Sequence, residues 1–151
     1  MAQKQQTLSD IEYGNRRVRT QRDVLLEKMN ELLPWQKWIE EIRPHYYTGT
    51  RGRRPRNLET MLRMYLVKYW FGCSDEGIED AIYDSYALRS FLKVDFLKEQ
   101  VPDATTLGRF RHMLVKNGLD QTIHSEIDQI LRENKLALRR GSFTEPKLHK
   151  L

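Results

Sequence analysis

Four arginines, Arg51, Arg53, Arg54 and Arg56, crowd into the stretch TGTRGRRPRN. A guanidinium donates through a planar fork that fits a phosphate bidentately and enters a narrow minor groove. Packed this closely the four repel one another, and Gly49, Gly52 and Pro55 oppose a regular helix or strand there. Such a segment suits a basic connector that meets a polyanion outside itself. A second set lies in ATTLGRFRHMLVKNG. At helical spacing Leu107, Phe110 and Leu114 make an apolar face, and Thr105, Arg109, His112 and Lys116 make the opposite stripe. Those four donate readily to phosphates and base edges, and a capped helix start is itself favourable to anions. With Arg111 they complete the candidate DNA-contacting residues: Arg51, Arg53, Arg54, Arg56, Thr105, Arg109, Arg111, His112 and Lys116. The plainer alternative is a solvated connector followed by an amphipathic surface helix that happens to be basic.

Catalytic patterns are missing by comparison. No two of His45, His112, His124 and His149 stand four apart on one helix, as a helical zinc pair requires. The one cysteine, Cys73, rules out an internal disulfide and a cysteine-based zinc site. No phosphate-cradling glycine motif and no nucleophile elbow is present. The acidic run DEGIED could collect a divalent cation, but such clusters are ordinarily a solvated helix face. The expectation is therefore no catalytic site, no cofactor and no metal.

Charge supports a binding role. The 151 residues carry a net +5, unevenly spread. Residues 1–56 hold 12 basic and 7 acidic side chains, residues 57–100 hold 5 and 8, and residues 101–151 hold 9 and 6. An acidic centre between basic flanks favours a polyanion, of which nucleic acid is the commonest. No apolar run reaches the roughly 18 residues of a membrane span, and the N-terminus lacks a signal-peptide core. A cytoplasmic protein with no membrane partner is the expectation.

The elements that must position these residues read as helices, because no sustained apolar–polar alternation occurs. The fold class expected is all-α: a compact multi-helix domain over residues 1–138, with a helix-turn-helix-like element and a frayed tail over 139–151. Residues 9–33 predict one long helix, and Pro34 opens a second that Pro44 ends. Residues 57–72 are apolar nearly all round and predict a buried central helix, capped by Asn57 and stopped by Gly72. Ser74 caps a helix whose Ile78 and Ile82 face inward while Asp75, Glu79 and Asp80 face out. A short helix follows over 86–93. Asp103 then caps the basic helix, Gly118 ends it, and a last amphipathic helix runs from Leu119 to Asn134.

The blocks TMLRMYLVKYWFGCSDEGIEDAIYDSYALRSFL and VPDATTLGRFRHML, with GTRGRRPRNLETMLRMYL and the opening LSDIEYGNRRVRTQRDVLLEKMNELLPWQKWIEEIRPHY, resemble the N-terminal region of bacterial insertion-sequence transposases, the insertion sequence five group. The resemblance covers roughly residues 7–141. It implies a helical domain that recognises the terminal inverted repeats of a mobile element as double-stranded DNA. In that family a ribonuclease-H-like domain then supplies three acidic residues for two magnesium ions. Its first aspartate follows a segment like LALRRGS, where this chain has FTEPKLHKL and Glu145. The resemblance therefore implies a transposase fragment ending before the catalytic domain. A second expectation is a regulatory fragment that pairs with itself or with full-length transposase and inhibits it.

Overall fold

The computed structural model describes residues 7–14, 19–46, 56–140 and 145–151. The expected long N-terminal helix is two: α1 (Leu8–Gly14) and α2 (Gln21–Leu32). The cause is a capping box that gives α2 its own start. The Thr20 hydroxyl accepts from the Asp23 amide at 3.2 Å, and the Asp23 carboxylate accepts from the Thr20 amide at 2.9 Å. Pro34 precedes α3 (Trp35–Tyr46), but Pro44 lies inside that helix rather than ending it. A proline in the last turn removes the bond to the Glu40 carbonyl, at an exposed edge where little is lost before the helix stops.

Central to the core is α4 (Leu58–Phe71), with Leu58, Met61, Leu62, Met64, Tyr65, Leu66, Val67 and Trp70 all buried. Asn57 caps it, accepting from the Thr60 amide at 3.1 Å, and Gly72 ends it at φ +65°. A side chain at Gly72 would be strained and would run into the Arg140 guanidinium. Around α4 pack α3, α5 (Asp75–Asp84), α6 (Tyr86–Leu92) and α7 (Ala104–Lys116). Then α8 (Leu119–Glu133) lies on α7. Arg63 brings a charge into this core. Arg63 is only 2 % exposed, stacked over Trp35 and Phe91 at 4.3 and 4.7 Å, and donates to the Phe91 carbonyl and the Asn30 amide oxygen.

The tail differs from the frayed segment expected. Leu136–Arg139 form β1 and Lys147–Lys150 form β2, an antiparallel pair in which Leu138 faces Leu148. Leu136, Leu138 and Leu148 pack onto the core, β1 against α8 and β2 against α2. Two inward leucines on β1 and one on β2 are too few to show as a periodic pattern. With eight helices and this one small sheet among the described residues, the fold is all-α.

Candidate nucleic-acid interface

The basic helix α7 begins at a cap. The Asp103 carboxylate accepts from the Thr106 amide at 2.7 Å. That backbone N–H holds the Asp103 carboxyl below the usual carboxylate range, with weaker pulls from Arg109 and Arg56. Leu107, Phe110 and Leu114 are buried, as their spacing predicts. Phe110 meets the rings of Tyr46 and Tyr65 edge-on at 5.8 and 6.1 Å, which fixes α7 against α3 and α4. On the far side Thr105, Arg109, His112 and Lys116 are all exposed along one stripe.

Arg111 is separate from that stripe. It lies two positions beyond Arg109, roughly 200° further round the helix and beside the buried face. Its two terminal nitrogens bond the two Asp75 oxygens at 2.6 and 2.9 Å. Asp75, expected to face outward, is mostly covered instead, and Lys68 lies 3.9 Å from it. The Arg111 hydrogen bond holds the Asp75 carboxyl below its ordinary value, while Asp75 pushes the Arg111 guanidinium further up. The fork thus ties α7 to the first turn of α5. Behind it, the Tyr65 hydroxyl and His124 Nε2 share a hydrogen bond of 3.1 Å between α4 and α8. Burial lowers the His124 pKa against the pull of Asp120 and Asp128.

Of the arginine segment, Arg51, Arg53 and Arg54 lie outside the described residues. Arg56 is described and marks where the segment returns to the core. Its backbone carbonyl accepts from the Tyr46 hydroxyl at 2.5 Å. Its guanidinium donates to the Gln100 carbonyl and sits 3.6 Å from Glu99, just ahead of α7. Tyr46 is the last residue of α3, so the described residues flanking 47–55 meet at one point, next to the ring of Phe110. Both ends of the arginine segment are therefore fastened beside the N-terminal half of α7.

Sequence reasoning missed Tyr46, Lys68 and Asp75. Helical angle alone would have grouped Arg111 with the core-flanking residues, and Asp75 in a helix first turn was a visible partner. For Tyr46 no local sequence signal existed, because its contacts with Arg56 and Phe110 join separate elements. Among the described residues no three His, Cys, Asp or Glu gather to hold a metal ion, and no helix is long and apolar enough to cross a membrane.

A family model described as a transposase domain, DUF772, matches residues 15–113, from the segment before α2 through most of α7. That match takes in both ends of the arginine segment, the Arg111–Asp75 tie and the exposed stripe as far as His112. No solved structure matches the chain. The helices that carry the candidate interface are the matched ones, and the chain belongs to the DUF772 transposase domain family.

Proposed function

We propose that this domain is the DNA-recognition module of a transposase of the insertion sequence five group and binds duplex DNA of the kind found at element ends. Thr105, Arg109, His112 and Lys116 face the major groove, with α7 as the recognition helix. Arg51, Arg53, Arg54 and Arg56 contact the phosphate backbone or minor groove beside it. Arg111 holds α7 at its working angle through Asp75. The observation that carries this reading is the anchoring of both ends of the arginine segment next to the start of an exposed basic helix face.

The module binds without cutting strands. Glu145, placed where the resemblance would put an aspartate, is ion-paired with Arg22, and Pro146 follows it. Selection from random duplexes at two salt concentrations tests the binding. A single enriched motif is expected, and Arg109→Ala should relax it at one base position, at a cost of roughly 1–3 kcal/mol. Full retention of the motif by that variant would remove α7 from the groove.

A second reading is a regulatory interaction through the N-terminal helices. Leu8, Ile11 and Val24 are exposed at 84 %, 47 % and 54 %, giving α1 and α2 apolar side chains free to meet a partner. Light scattering that shows a monomer at high concentration sets self-association aside.

A further inference from the structure

Among the described residues, no ion pair balances Arg139 or Lys147 on the C-terminal hairpin. From Lys135 to Leu151 the chain has five lysines and arginines and one acid, Glu145. Glu145 is engaged by Arg22 on α2, and the next acid upstream, Glu133, accepts from Gln129 on its own helix at 3.1 Å. Pairing of β1 with β2 sets Arg139 opposite Lys147 and Ala137 opposite His149. Side chains alternate across a strand, so Arg139, Lys147 and His149 share the face turned away from the core. Leu136, Leu138 and Leu148 take the inner face. Like charges directly opposite on a strand pair are destabilising, and no ion pair joins Arg139 or Lys147 to an acid among the described residues. Arg140, on the inner side, reaches the Tyr69 carbonyl at the C-terminal end of α4 at 3.5 Å. That contact seats the hairpin at the end of α4 opposite Arg56, roughly 20 Å away along the helix.

We propose that the outer face of this hairpin, built on Arg139, Lys147 and His149 with Lys135 at its margin, is a second contact surface for duplex DNA. It takes phosphate oxygens of a stretch of backbone other than the one Arg56 reaches. The inference rests on the DNA-binding reading above and adds a site to it. Contacts from these side chains to phosphate oxygens carry no sequence information, so the contribution is independent of sequence. It raises affinity for every duplex and steepens the dependence on salt through counterion release.

The paired variant Arg139→Gln/Lys147→Gln tests this in the full chain, with Lys28→Gln on the exposed side of α2 as control. Removing a like-charged pair should leave the melting temperature unchanged or raised, and a milder Lys147→Gln single variant serves if the double does not fold. Titration of a random-sequence duplex across a salt series is the readout. The double variant should make the slope of log K against log salt shallower by about 1.8, two phosphates at roughly 0.9 each. The motif recovered from random duplexes should stay the same. If the slope is unchanged while wild type still binds its motif, the hairpin proposal is overturned and the α7 reading stands. If solubility falls with no change in slope, the charges guard the hairpin's open edges instead, which also overturns it. If wild type binds no duplex at any salt, both readings fail together.

Discussion

Asp75 shows how one residue ties the exposed stripe to the core. Its carboxylate holds both ends of the Arg111 fork, so it orients α7 without touching anything beyond the domain. Its folded pKa lies below the ordinary value of 3.8, chiefly because Arg111 bonds the charged form. The stabilisation is therefore full above that value and fades as pH falls through the folded pKa. Replacing Asp75 by Asn should cost about 1 kcal/mol near neutral pH, as expected for a half-buried bidentate pair. Urea titrations of wild type and Asp75→Asn should show that gap at about pH 6 and a smaller one at about pH 3. A gap that stays constant between those conditions would mean the pair contributes through shape alone. Arg111 and Asp75 were both visible in the sequence, but their partnership was not. Residues 36 apart meet only after α4, α5 and α7 have packed.

Among the elements, α7 was the most legible and depends most on its first turn. Asp103, followed by small residues and an apolar i, i+3, i+7 pattern, announced both the start of the helix and its buried face. The cap leaves the remaining first-turn amides directed toward whatever approaches Thr105 and Arg109. Asp103→Ala should lower stability by about 1 kcal/mol in chemical denaturation and increase amide exchange at Thr105 and Thr106. Unchanged exchange there would mean the helix start is held by packing rather than by its cap. Other elements were read less well, for identifiable reasons. Residues 9–33 read as one long helix, yet the Thr20–Asp23 capping box gives α2 its own start. Pro44 looked like a stop, but a proline near a helix C-terminus costs a single bond at a position already close to the end. The hairpin draws its stability from packing on α8 and α2, which local sequence does not display.

At the scale of the molecule, one apolar cluster runs through every helix from α2 to α8, with Trp35, Trp38 and Trp70 all inside it. Glu126 on α8 accepts from the Trp38 indole at 2.6 Å and from Lys37 at 2.8 Å, closing α3 onto α8. Such a core should unfold as one unit. Tryptophan fluorescence and far-ultraviolet circular dichroism should therefore give the same urea midpoint; separate midpoints would divide the domain into independent parts. The sequence by itself determined the helical class, the central buried helix, most caps and the two basic segments, because each depends on side-chain spacing within about four residues. Tertiary structure decided how those segments are arranged. It joined Tyr46 to Arg56, so that the residues flanking the arginine segment meet beside α7. It took Arg111 from the candidate DNA contacts and gave it to Asp75. It made a basic ribbon of the tail. Each of these is a contact between groups far apart along the chain, and only the packed core holds such groups together against the entropy of the unfolded state.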